Sequence, residues 1–385
     1  MILRQALRTC LRPVVAPIRA ALNRRVTSLV AAQLAERVPE LVESVLRQRS
    51  PDQHPRSFAL VDERSHPNPD ALWVLLRDLD HARLSIKFFG YELGRTLAAA
   101  LPARPGLTAR HVGLRSKPST QADLESDWAA YWIGELKAAH IFHRKLWEFA
   151  YALQAIYENG CLRPGARGLG FGCGEEPLPS YFADHGIDVT VTDLEPATAA
   201  AQGWIDTSQH TSSLDAAYHA HLVSREQFDR RVSLRYVDMN AIPSDLRDFD
   251  FCWSICALEH IGSIQKGLDF IENSLGTLRS GGIAVHTTEF NYLNDEQTVD
   301  DWLTVLFQKQ HFRLLGERLE SQGHYVAPLD FDVGDKPLDK FIDLPPYFHD
   351  WTEYQRAVWN DPAPHLKVSF DGFACTCFGI IVRKL

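Results

Sequence analysis

The chain lacks a long apolar run. No eighteen consecutive residues of its 385 are apolar, so no membrane-spanning helix is expected. It also lacks a cysteine framework. Its seven cysteines are scattered and odd in number, which fits thiols in a reducing compartment and a cytoplasmic location. Cys375 and Cys377 have the spacing of one strand face rather than of a metal knuckle, and they read as core. A basic excess is missing too. The net charge is −9, and duplex nucleic acid is not expected as a partner. There is no internal repeat, no low-complexity tract and no serine or cysteine in a G-x-S-x-G elbow. Acid is absent from the start of the chain, where Arg4, Arg8, Arg12, Arg19, Arg24 and Arg25 all precede Glu36. These arginines interrupt any secretory-signal core. The segment reads as a basic helix that packs on the domain or pairs with a second copy in a homo-oligomer. The competing reading is peripheral contact with the anionic inner face of a membrane.

What is present is organised in three parts. Residues 1–55 are the basic helix and a Pro-containing linker. Residues 56–160 have helical periodicity over 69–100, 120–160 and again from His143 to Tyr157, with a loop from Leu101 to Lys117 and a stop at Gly160. This part is expected to cap the substrate side. From 161 to 385 the rhythm changes to alternating strands and helices, with strands at 167–171, 188–192, 232–237, 249–254 and 282–287. A helix from Trp302 to Ser321 follows, then strands at His324–Ala327 and Cys375–Val382, separated by a Pro- and Asp-rich insertion, 329–370. The pattern predicts an α/β fold with a mostly parallel, seven-stranded, Rossmann-like sheet.

The richest stretch is Gly168-Leu-Gly-Phe-Gly-Cys-Gly-Glu-Glu-Pro-Leu178, followed by Val189-Thr-Val-Thr-Asp193. Alternating glycines end a short apolar strand at the door of a helix, and a second strand ends in a carboxylate. A nucleotide fits across such a pair, because glycines let the backbone approach and the acid takes the ribose hydroxyls. A dinucleotide fingerprint, G-x-G-x-x-G, is not completed from either Gly170 or Gly172. Glu175 and Glu176 also stand where a helix N-terminus would hold pyrophosphate, and would repel it. A cofactor with a cationic centre is better tolerated.

At these positions the chain resembles the class I S-adenosylmethionine-dependent methyltransferases, over about residues 160–385. The resemblance implies that Gly170, Phe171, Gly172 and Gly174 form the turn under the methionine part of S-adenosyl-L-methionine. It implies that Asp193, with Leu194 beside it, binds the ribose, and that Asp238 and Met239 read the adenine. Phe249 to His260, including Ser254, matches the fourth strand and its loop. The family often has an acid where this chain has Gly170. The runs Glu175-Glu-Pro-Leu178 and His286-Thr-Thr-Glu-Phe-Asn291 are similar to methyltransferases of bacterial surface-glycan clusters.

Methyl transfer from a sulfonium needs alignment, and a sugar hydroxyl also needs a base. The catalytic candidates are His260, His286 and His210. Glu259 and Glu289 follow the same strands, and His143 and Glu148 come from the helical part. Some related O-methyltransferases carry Glu-x-x-Glu-His and bind a divalent cation. Here the first Glu is Cys256, and no metal is expected. Trp128, Tyr131, Trp132 and Trp147 read as core or as sugar-stacking rings, and Lys137, Arg144 and Lys145 as a solvated face or an anion contact. The expected acceptor is a glycan, a nucleotide-linked sugar or another small molecule. The alternatives are a small-metabolite O-methyltransferase, a non-catalytic scaffold and a nicotinamide dehydrogenase.

Overall fold

A computed structural model describes residues 69–196, 213–347, 352–353 and 364–385. The basic segment 1–55 and His210 lie outside the described residues. The chain divides into two compact units, 1–85 and 86–385. In the first unit the described residues are the opening turns of helix α1, Pro69–Ala99. Everything below concerns the second unit.

In chain order that unit contains β1 (Lys117–Pro118), α2 (Gln121–Leu124), α3 (Asp127–Glu135), α4 (Arg144–Glu158), β2 (Arg167–Phe171), α5 (Leu178–Asp184), β3 (Asp188–Asp193), α6 (Arg225–Arg231), β4 (Val232–Tyr236) and β5 (Phe249–Ile255). It continues with α7 (Ile264–Ser274), β6 (Leu278–Asn291), α8 (Lys309–Ser321), β7 (Tyr325–Val326), α9 (Pro337–Lys340), β8 (Ile342–Asp343), β9 (Lys367–Phe370) and β10 (Phe373–Arg383).

The sheet runs β4-β3-β2-β5-β6-β10-β9-β8, with β1 and β7 also paired to β10. The five strands from β4 to β6 are parallel and β10 is antiparallel to β6, a Rossmann-like arrangement. Among the described residues ten strands replace the expected seven. Two of the extra ones, β8 and β9, come from the 329–370 insertion and extend one edge. The third, β1, lies at the end of a segment expected to be loop. Strand order reverses between β2 and β5, which opens a crevice beyond their carboxyl ends.

Both faces of β5 are covered, so the strand is buried along its whole length. One face carries Phe251 and Trp253, which pack with Trp147, Tyr151 and Phe182. The other carries Phe249 and Cys252, which join Phe171, Phe270, Phe312 and Phe378. Across the ladder, Gly168 faces Phe251 and Gly170 faces Trp253. A Cβ on Gly168 would stand 2.6 Å from the Phe251 ring, and one on Gly170 would stand 2.5 Å from the Trp253 ring. These two glycines therefore make room for aromatics, and no acid fits at 170.

Helix α4 is buried over nearly all its length, from Leu146 to Ile156, and packs on β5, β6 and β10. It belongs to the same compact unit as the sheet. The helix expected from Trp302 begins only at Lys309. The preceding residues are extended because Phe307 pairs with the end of β6, donating to Glu289 O at 3.0 Å and accepting from Asn291 N at 2.8 Å.

Candidate functional site

The chain leaves β2 through two residues in left-handed backbone conformation, Gly172 (φ 59°) and Gly174 (φ 53°). Residues with a Cβ pay about 1–2 kcal/mol for that conformation. At Gly172 space is short as well, since a Cβ there would lie 2.8 Å from Ala257 Cβ. The turn is tied to the end of β3. Asp193 Oδ2 accepts from Gly174 N at 3.2 Å, and Oδ1 accepts from Leu194 N at 2.9 Å. Met239 Sδ lies 3.5 Å from where a Gly172 Cβ would sit, so the loop after β4 reaches the same turn. Asp238 is exposed there, its Oδ1 accepting from Asn240 N at 2.8 Å. Gly172, Gly174, Asp193, Leu194, Asp238 and Met239 are thus brought to one end of the sheet, although they span three connections.

Other expected site residues are elsewhere. The Phe171 side chain is wholly buried, edge-on to Phe270. Ser254 and His286 face the core. His286 is completely buried, with Nδ1 at 2.8 Å from Ser254 Oγ and Nε2 at 3.0 Å from Ser274 Oγ. Burial pulls its pKa down to about 3, so it is a neutral bridge between a strand and α7 and reaches no acceptor. His260 lies beside Glu259. Its Nδ1 donates to Leu303 O at 3.0 Å, and Nε2 lies 3.9 Å from Glu259 Oε1.

Under the turn sits a carboxylate of unusual character. Glu176 is buried and accepts from Trp253 Nε1. Burial pushes its pKa up to about 8.

Beside it, at the carboxyl ends of β5 and β6, four remote segments converge. Helix α4 supplies Arg144, Lys145 and Glu148, and the loop after β5 supplies Cys256 and Glu259. Strand β6 supplies Thr287, Thr288 and Glu289, and β10 supplies Cys377. Arg144 pairs with Glu289, and Lys145 Nζ donates to Ile255 O at 3.2 Å. Thr287 Oγ1 donates to Glu148 Oε2, and Thr288 Oγ1 donates to Glu259 Oε2 at 3.1 Å. Burial opposes ionisation of Glu148, but Lys145 and Arg144 outweigh it and hold that carboxyl below the usual range. Each of the three glutamates keeps one oxygen with no hydrogen-bond partner among the described residues: Oε1 of Glu148, Oε1 of Glu259 and Oε2 of Glu289. Their side chains are 0%, 1% and 6% exposed. Buried carboxylate oxygens normally have hydrogen-bond partners; here Glu148 Oε1 has only Lys145 Nζ at 3.8 Å and Glu259 Oε1 only His260 Nε2 at 3.9 Å.

His143 caps α4, its Nδ1 accepting from Lys145 N at 3.1 Å. Trp132 and Trp147 are core. The sequence pointed to Glu148, Glu259 and Glu289 as single candidates, but gave no sign that they share one cluster with Cys256 and Cys377.

No model of a protein family matches the sequence, nor does any curated protein. Solved structures do match. The glycopeptide N-methyltransferase MtfA, complexed with sinefungin, is 11% identical, with 61% of this chain and 92% of that one covered and a TM-score of 0.35. An S-adenosylmethionine-dependent methyltransferase from Mesorhizobium loti is 15% identical, with 60% and 96% covered and a TM-score of 0.34. The [4+2]-cyclase SpnF is 21% identical over 48% of this chain, at a TM-score of 0.32, and the match spans 60% of the cyclase's length.

Proposed function

We propose that the chain is an S-adenosylmethionine-dependent methyltransferase whose acceptor is a hydroxyl of a sugar, in a glycan or on a nucleotide carrier. One observation carries the reading: the turn after β2 has two left-handed glycines, Gly172 and Gly174, and Gly174 N is bonded to the Asp193 carboxylate, beside the point where strand order reverses. Ligands of open α/β sheets bind at that point. A Cβ at Gly172 would press on Ala257, so this glycine also lets the loop after β5 pack against the turn.

When bound, S-adenosylmethionine supplies an electrophilic methyl group on a cationic sulfur. The chain does the rest. Asp193 would hold the ribose hydroxyls, Met239 and Asp238 the adenine, and the backbone from Gly172 to Gly174 the methionine portion. Glu176 takes the place of the acid that Trp253 excludes at position 170. Its burial keeps it neutral near pH 7 without a partner, and an adjacent cation favours the ionised form.

On the acceptor side, Glu259 Oε1 would accept the proton of the attacking hydroxyl, and His260 Nε2 stands 3.9 Å from that oxygen. The buried walls of the cluster exclude water and fix the line of attack. The surplus of carboxylates over cations suits an acceptor that donates hydrogen bonds, as a polyol does.

The test has two stages. S-adenosylhomocysteine should raise the melting temperature, while NAD and ATP should not. The protein should then add one methyl to a nucleotide sugar or glycan fragment, read by mass spectrometry. A shift with NAD alone overturns the reading. Cofactor binding with transfer only to small aromatic or aliphatic hydroxyls replaces the sugar with a small metabolite. Cofactor binding with transfer to no hydroxyl leaves a scaffold.

A further inference from the structure

The acceptor-side cluster contains two thiols that methyl transfer does not use. Cys256 follows β5 and Cys377 lies on β10, 121 residues later, yet their sulfurs are 3.6 Å apart. Glu148, Cys256 and Cys377 each offer one ligand atom, and all three atoms lie within 4.8 Å of one another. Cys256 is held in left-handed conformation (φ 47°). Its amide donates to Thr287 O and to Thr287 Oγ1, at 3.0 and 3.1 Å. The loop thus spends backbone strain to aim this thiol inward.

We propose that Cys256, Cys377 and Glu148 form a binding site for a thiolate-preferring dication of the zinc class, with Glu289, beside Cys256, as a fourth donor. Three observations support it. The first is distance. Zinc–sulfur bonds of about 2.3 Å arranged as a tetrahedron separate two sulfurs by about 3.8 Å, close to the separation seen. The second is the buried carboxylate. Glu148 is completely buried, Thr287 holds Oε2, and Oε1 makes no hydrogen bond among the described residues, its near cation Lys145 Nζ standing off at 3.8 Å. The third is charge. The cluster's three carboxylates outnumber its two cations by one. Arg144 is engaged with Glu289 and, at 3.8 Å, with Cys377 Sγ, and Lys145 with Ile255 O and, at 3.8 Å, with Glu148 Oε1. A dication that displaces two thiol protons into solvent leaves that surplus as it was. Cys256 also lies within 4.8 Å of ligand atoms on Glu259 and Glu289. The mixed sulfur–oxygen donor set favours zinc over magnesium or calcium, which prefer oxygen alone. The site departs from the metal-free expectation above because its donors come from positions 148, 256 and 377, which no local motif joins.

The experiment uses the full-length chain, stripped with a chelator under reducing conditions and titrated with Cd²⁺ as the probe. We expect one Cd²⁺ per chain, thiolate-to-cadmium absorption in the ultraviolet, and competition by Zn²⁺ but not Mg²⁺. Cys377→Ser and Cys256→Ser should each remove the absorption, and Glu148→Gln should weaken binding at least tenfold. Cys161→Ser, at the opposite end of β5 beside Asp250 O, should leave it intact. Should the cysteine variants fail to fold, alkylation of the wild-type chain decides: Cd²⁺ should protect Cys256 and Cys377, mapped by peptide mass. Absent absorption, binding that survives Cys377→Ser, or a Cys256–Cys377 disulfide in the freshly isolated protein overturns the proposal. None of these readouts requires methyl transfer. A chain that takes up cadmium but ignores S-adenosylhomocysteine keeps this site and loses the function proposed above.

Discussion

The two halves of the candidate site are built in opposite ways. The cofactor half is short-range: Gly172, Gly174 and Asp193 fall within 22 residues, and one strand–helix–strand unit brings them together. The acceptor half draws on residues from 144 to 377, and only the pairing of β5, β6 and β10 with α4 against them makes it a site. The first half relies on backbone: positive φ, amides and one carboxylate. The second relies on side chains in a buried, charged cluster. A compact, backbone-made site can be carried by many sequences. A cluster drawn from four segments is tuned by each of them.

Substitutions can break that contrast or sharpen it. The largest effect is expected from Glu259→Gln. The substitution keeps the shape and removes the base, so methyl transfer should fall by about 10²–10⁴-fold. S-adenosylhomocysteine affinity, measured by calorimetry, should not change. Equal loss of both would merge the two halves into one. Next comes Asp193→Ala. A hydrogen bond to a charged group is worth about 1.5–3 kcal/mol, so cofactor affinity should drop by roughly tenfold to several hundredfold. Unchanged affinity in a folded variant removes Asp193 from the site.

Gly172→Ala should cost about 1–2 kcal/mol in stability from the left-handed backbone alone. It should weaken the cofactor further, because the new methyl meets Ala257. Chemical denaturation and calorimetry separate the two effects. His286→Asn removes a buried hydrogen-bond partner and should destabilise the fold by about 1–3 kcal/mol, with turnover per folded molecule unaltered. A selective loss of turnover would restore His286 to the mechanism.

The smallest effects are in pH dependence, and their signs differ. His286 has its pKa lowered to about 3 from 6.5. The unfolded chain binds the proton first, so this stabilising contribution is complete above 6.5 and is lost as pH falls toward 3. Glu176 has its pKa raised to about 8 from 4.5. The folded chain holds that proton longer, so its contribution is complete below 4.5 and fades as pH rises to 8. Denaturation across pH should show both limbs, and Glu176→Gln should flatten the upper one only.

Much of the fold was legible in the chain. The five parallel strands fall within a few residues of their expected places, because buried parallel strands are continuous β-branched and apolar runs. Gly160 ends α4 as its position implied. The 302–308 segment was misread because its apolar residues fit a helix by period but are used to pair beside β6. His286 was misread for a related reason. Its place at a strand end resembles a catalytic position, yet strand parity turns it toward α7, and sequence spacing alone does not say which face holds the ligand.

The chain by itself determined the alternation of strands and helices, the glycine turn and the carboxylate that follows it, because those depend on backbone freedom and local periodicity. Only the tertiary structure decided that Trp253 closes position 170 to an acid, that Glu176 is buried beneath the turn, and that three glutamates and two thiols share one cluster. Burial, pKa and metal-ligand geometry are properties of neighbours in space, and here those neighbours are separated by up to 229 residues of chain.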